Sequence, residues 1–152
     1  MRTFHFKLRA LLRLKETKRE QALAKFASSI KEVQRLEEKL ASAQNKYSAA
    51  LHILHDRQKG VFRSDQIAAL QGGVQVEHEN LSKVKLLLNQ AKEMQDSRRK
   101  IFLDQDSQYK AIDRLHEKQK EEHYVNEIKK EQSELEDIIG SRFLFQRINA
   151  QV

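Results

Sequence analysis

The chain reads as an all-α protein, a long two-helix antiparallel coiled-coil hairpin with an extended C-terminal helix. Three observations predict it. The 152 residues hold no proline, only four glycines and 34% charged side chains, a composition that favours long helices over turns and sheets. Apolar residues recur in alternating steps of four and three over two long stretches, as they do in a coiled-coil seam. The two stretches also pair with each other in a single antiparallel register. With 39% hydrophobic residues and no tryptophan, a thin seam suits the composition better than a thick core.

One helical domain is expected over residues 1–152, with helix one at about 3–59, a turn at about 60–64 and helix two at about 65–148. The first seam runs Ala22, Phe26, Ser29, Val33, Leu36, Leu40, Ala43, Tyr47, Ala50, Leu54. Arg57 and Lys59 then precede Gly60, which suits a helix end closed by cations and a left-handed glycine. Ser64 or Asp65 can cap the next helix. The second seam runs Leu70, Val74, Glu77, Leu81, Val84, Leu88, Ala91, Gln95, Arg98, Phe102 and on through Tyr109, Ile112 and His116. Gly72-Gly73 falls inside it and softens the helix without ending it.

In an antiparallel pair, facing residues have numbers that sum to a constant. A constant of about 124 matches Leu54 with Leu70, Ala43 with Leu81, Leu40 with Val84, Leu36 with Leu88 and Val33 with Ala91. Small side chains repeatedly meet large ones, and the polar Ser29 meets the polar Gln95. Helix one is used up where helix two reaches residue 121 or so. The overhang beyond still carries Ile128, Leu135, Ile138, Ile139, Phe143, Leu144, Phe145 and Ile148. An apolar stripe with no partner inside the chain calls for one outside it, so the overhang is the candidate binding element.

Charge is concentrated at the same end of the hairpin. The net charge is +7, of which residues 1–20 contribute +5 and residues 141–152 contribute +2, while the long middle balances. Phe4, Leu8, Leu11 and Leu12 form one apolar face of an expected first helical turn, with Arg2, Lys7, Arg9 and Arg13 around it. Such a helix suits an anionic membrane or nucleic-acid phosphates, but Glu117, Glu121, Glu122 and Glu127 of helix two are expected alongside to neutralise part of it. Nucleic acid is therefore not expected as a partner.

Other classes find no support. There is no cysteine, hence no disulfide or thiolate metal site, and no apolar run approaches the ~20 residues of a membrane span. Residues 2–14 are basic and amphipathic like a presequence, but their apolar pattern continues unbroken into the next helix. His52 and His55, three apart, read as a solvated helix face, and Asp104, Asp106 and Asp113 lack the glycine turn and terminal glutamate of a calcium loop. With no phosphate-cradling glycine loop and no cleft for a catalytic set, no enzyme activity, metal or cofactor is expected.

Two segments carry a family resemblance. The opening Phe4-x-Phe6-x-Leu8-x-x-Leu11-Leu12-x-Leu14-Lys15-Glu16, with Ala22 following, resembles the start of the flagellar FliJ family. Glu117-Lys118-Gln119 and the run Lys129-Lys130-Glu131-Gln132-Ser133-Glu134-Leu135-Glu136-Asp137-Ile138 resemble its C-terminal pattern. The resemblance implies a soluble cytoplasmic component of the flagellar type III export apparatus, peripheral at the inner face of the cell membrane. It implies a monomeric stalk, related to injectisome stalk proteins, whose termini enter the pore of a hexameric export ATPase and promote its assembly and activity. The linker of the export-gate membrane protein and the export chaperones are the further partners it implies. Carried onto this chain, ATPase contacts fall on Phe4, Leu8, Arg9, Leu11, Leu12, Arg13, Leu135, Ile138, Ile139, Arg142 and Phe143, and gate contacts on Leu36, Leu40 and Tyr47. The family's aromatic near the start of helix two is replaced here by Gly72-Gly73. The competing reading is a stand-alone coiled-coil adaptor that bridges protein partners or an anionic membrane without an ATPase.

Overall fold

The computed structural model describes residues 1–61 and 63–151. Two helices, α1 (Arg9–Gln58) and α2 (Ser64–Ala150), pack against each other in antiparallel sense, with no strand among the described residues. The fold is the all-α helical hairpin that the paired heptads predict.

Helix α1 ends with His55 and Arg57 in its last turn, where cations meet the partial negative charge of the unpaired carbonyls. The left-handed glycine cap expected at Gly60 does not form, since no glycine has a positive φ. Instead Lys59 N–H donates to the Asp56 carbonyl at 3.3 Å, a tightened last turn that satisfies a carbonyl without a left-handed residue. The expected turn at 60–64 includes Phe62, which lies outside the described residues. On the far side, Ile67 N–H donates to Arg63 O at 3.1 Å, so the first helical bond starts from Arg63 and Ser64 is already inside α2. Asp65 brings its carboxylate to this first turn, where Oδ1 accepts from Gln66 N–H at 3.0 Å.

The packing divides into two compact units. In Arg19–Gln105 the apolar core consists of two clusters. Val33, Leu36 and Leu88 are buried with Leu40 and Ala91 against them; Ala43, Leu81 and Val84 are buried with Leu40 and Tyr47 against them. These are the side chains that the constant of 124 matches. Towards Arg19 the seam thins. Ala22 is buried and small, and the Phe102 ring reaches one turn along to stack on Phe26, centroids 6.2 Å apart and planes within 8°. Ser29, also buried, satisfies its hydroxyl on its own helix by donating to Phe26 O at 2.6 Å.

The second unit joins Met1–Lys18 to α2 from Asp106 onward. Here Leu11, Leu12, Ile112 and Leu115 are half-buried, and Lys15 Nζ donates to Gln108 Oε1 at 2.6 Å in nearly the same register. The expected helix from about residue 3 is corrected to a start at Arg9, for a reason that belongs to the site below.

Gly72-Gly73 and Gly140 lie within an unbroken α2, and a methyl group at Gly72 or Gly73 would meet no atom within 4 Å. Glycine there costs the helix backbone entropy and contributes no close approach in return. Gly72→Ala and Gly73→Ala should each stabilise the chain by about 0.5–1 kcal/mol, read as a shift in the urea unfolding midpoint.

Candidate functional site

The residues ahead of α1 do not continue it. They run beside α2 as a non-helical strap. Phe6 is buried with its ring edge-on to His116 at 4.8 Å, and Phe4 lies between His116 and His123, 5.6 Å from each. Further along, His123 Nε2 donates to Arg2 O at 2.8 Å, Arg2 N–H donates to Glu127 Oε2 at 3.3 Å, and the Met1 amine lies 3.3 Å from Glu131.

Reach explains why this segment is not helical. Between His116 and Glu131, α2 rises ~22 Å. The five residues from Phe6 back to Met1 cover ~17 Å extended but only ~7 Å as helix. An extended strap, aided by the reach of the Glu131 side chain, is what spans the gap. Extension also turns Phe4 and Phe6 to one side, whereas a helix would set them on opposite faces. The expected face of Phe4, Leu8, Leu11 and Leu12 is therefore corrected. Phe4, Leu11 and Leu12 are half-buried, Leu8 is exposed, and Phe6 is the buried anchor that a helical reading leaves out. Arg9 and Arg13 are exposed.

Glu127 is the buried charge of this site, 8% exposed. The Arg2 N–H holds its carboxyl below the usual carboxylate range; burial opposes this, and Lys130 and His123 reinforce it. Of the four glutamates expected to neutralise the basic terminus, Glu127 meets the strap, joined by Glu131. Glu117 sits 3.1 Å from His116 Nδ1 instead, and Glu121 and Glu122 are exposed.

Beyond the strap, every described residue of α2 from Lys130 onward is exposed. Leu135, Ile138, Ile139, Phe143, Leu144, Phe145 and Ile148 are each more than half exposed, and Arg142 stands among them. The structure thus brings Phe4, Leu11 and Leu12 onto α2 but leaves Leu135, Ile138, Ile139 and Phe143 uncovered within the chain. Of the gate-contact residues, Leu36 is 3% exposed inside the seam, whereas Leu40 and Tyr47 are half-buried at its edge. Tyr47 has His78 of α2 at 5.5 Å between ring centroids.

Chemistry-bearing groups are few. His52 is exposed and pairs with Asp56 at 3.2 Å, His55 is exposed, and Asp106 pairs with Lys110 at 2.8 Å. Asp113, His116 and Glu117 bring ligand atoms within 4.8 Å of one another, a grouping readable from their three- and four-residue spacing but passed over in favour of the aspartates. Exposed acidic groups come together in this way without a cation, and His116 is already engaged by Phe6 and Glu117. No helix among the described residues is long and apolar enough to cross a membrane.

The family model for the flagellar FliJ protein matches residues 4–147, nearly the whole chain. The chain belongs to the flagellar FliJ family. FliJ proteins are non-catalytic components of the flagellar export apparatus, and the match takes in the strap from Phe4 onward and nearly all of the exposed stripe. Neither a curated protein nor a solved structure matches the chain.

The strap carries a pH dependence whose sign follows from Glu127. A carboxyl held below its ordinary value favours the docked strap above that value and loses the contribution as pH falls through the lowered one. Amide exchange of residues 2–7 should quicken as pH falls below the ordinary carboxylate range, after correction for intrinsic exchange, and Glu127→Gln should flatten that acid-dependent increase.

Proposed function

We propose that the chain acts as a central stalk of the flagellar export ATPase. In this reading the end that gathers the strap, the first turns of α1 and the free length of α2 enters the pore of the hexameric ring and promotes its assembly and activity. Phe4, Leu8, Arg9, Leu11, Leu12 and Arg13 on the first element, and Leu135, Ile138, Ile139, Arg142 and Phe143 on α2, make the contact. The observation that supports it best is the uncovered apolar stripe from Leu135 to Ile148, a surface too apolar to be left facing water over its full length. Arg142 and Arg147 beside it, and the +5 charge of residues 1–20, give the end a sign that can choose orientation in a ring.

The same reading couples the ring to the export gate and to export chaperones at the membrane's inner face. Gate contact falls on the edge of the seam, at Leu40 and at Tyr47 with His78 beside it. Leu36, sealed against Leu88, supports that edge from beneath.

Leu135→Ala with Ile138→Ala should leave helicity and thermal stability of the isolated chain nearly unchanged, because little packing within the chain is lost. The pair should weaken stimulation of the cognate ATPase. Burying each side chain is worth roughly 1.5–3 kcal/mol, and the loss of one such anchor costs about tenfold or more in affinity. Unfolding of the isolated variant would contradict the stripe's role as an external contact, and undiminished stimulation would contradict the stalk.

A further inference from the structure

The unit Arg19–Gln105 has an apolar line of its own outside the seam. Leu87, Met94 and Ile101 follow one another at seven-residue steps on α2, at 46%, 52% and 54% exposure. Seven residues are nearly two turns, so the three side chains stack along one face. Leu87 and Met94 line the groove where α1 and α2 meet, and that groove is rimmed by cations. Lys39, Lys46 and Lys83 line it with Leu87, and Lys25, Arg35 and Arg98 line it with Met94. The carboxylates that line it are Glu77 and Glu32, and Glu32 is already held by Arg35 at 2.7 Å. The groove thus presents an apolar strip under a strong positive potential.

The chain also carries the complement. Residues 131–141 hold Glu131, Glu134, Glu136 and Asp137 and no cation, interleaved with Leu135, Ile138 and Ile139. Leu135, Ile138 and Ile139 are each more than half exposed and fall on one side of the helix. An acidic apolar helix and a basic apolar groove satisfy each other's charges while both exclude water.

We propose that the acidic helical segment 131–141 of one copy docks in the basic groove beside Leu87 and Met94 of a second copy. The interface is heterologous, stripe to groove, so a reciprocal exchange closes as a dimer and a one-sided exchange grows. The contact stands apart from the stalk reading, because both surfaces are in the chain itself. It covers the same stripe that a ring would, so binding to one excludes the other.

Sedimentation velocity of the full chain, from about 5 to about 300 μM at low salt, tests it by charge exchange. The wild-type chain should associate reversibly in the upper part of that range and less so as salt is raised. Lys39→Glu with Lys46→Glu, and separately Glu134→Lys with Asp137→Lys, should each weaken self-association at least about tenfold while circular dichroism stays unchanged. Mixed together, the two variants should associate again, since the reversed groove of one matches the reversed stripe of the other, and the native groove of the second matches the native stripe of the first. A wild-type chain that stays monomeric throughout overturns the proposal, as do charge variants that associate like wild type or a mixture that stays monomeric.

Discussion

The seam between α1 and α2 governs the molecule because it is thin. Its best-covered side chain, Leu36, is still 3% exposed, and no large side chain among the described residues is completely enclosed. A seam of this kind buries a residue only where both helices supply one, so its stability is a sum of short clusters and not of a central core. Val33, Leu36 and Leu88 form one such cluster; Ala43, Leu81 and Val84 form the next. Where the facing residues turn polar, as around Arg19 and Gln105, the helices persist on their own backbone bonds with long side chains lying across the gap.

The inequality of the helices follows from the same constraint and leaves the far end of α2 uncovered. α1 has 50 residues and α2 has 87, so pairing must end before α2 does. The strap is the chain's way of extending the cover. By leaving helical geometry it more than doubles its reach per residue, laying Phe4 and Phe6 over His116 and His123 and satisfying the buried Glu127. Past Glu131 none of the other described residues covers α2, and Leu135, Ile138, Ile139, Phe143, Leu144, Phe145 and Ile148 are each more than half exposed there. An export component of the FliJ family has, in that segment, an adhesive surface that only a second molecule can cover.

What could be read from residues alone divides along physical lines. Heptad spacing is a strong signal because every seam position repeats it, and one register constant sets Leu36 against Leu88 and Ala43 against Leu81, the pairs that cluster in the seam. The strap is ambiguous in sequence because Phe4, Leu8, Leu11 and Leu12 satisfy helical spacing while Phe4 and Phe6 satisfy extended spacing. Only the length of α2 left to be covered decides between them. Gly60 was expected to be left-handed because that is the commonest glycine helix end, but Lys59 closes the turn by another bond. Leu36 is sealed in the seam, with Leu40 and Tyr47 at its accessible edge. The basic groove along Leu87 and Met94 is not legible in either helix alone, because the cations on its α1 side lie about 40–70 residues away in the chain.

The central claim is that residues 132–150 have no partner until another molecule supplies one. Hydrogen–deuterium exchange of the dilute chain, alone and with the cognate hexameric export ATPase, tests it most directly. A single helix of this length is marginal in water without packing, so these amides should exchange fast in isolation and those of 33–47 slowly. Adding the ATPase should protect 132–150 and leave 33–47 unchanged. Slow exchange of 132–150 in the dilute chain, or no added protection in the complex, would contradict the account.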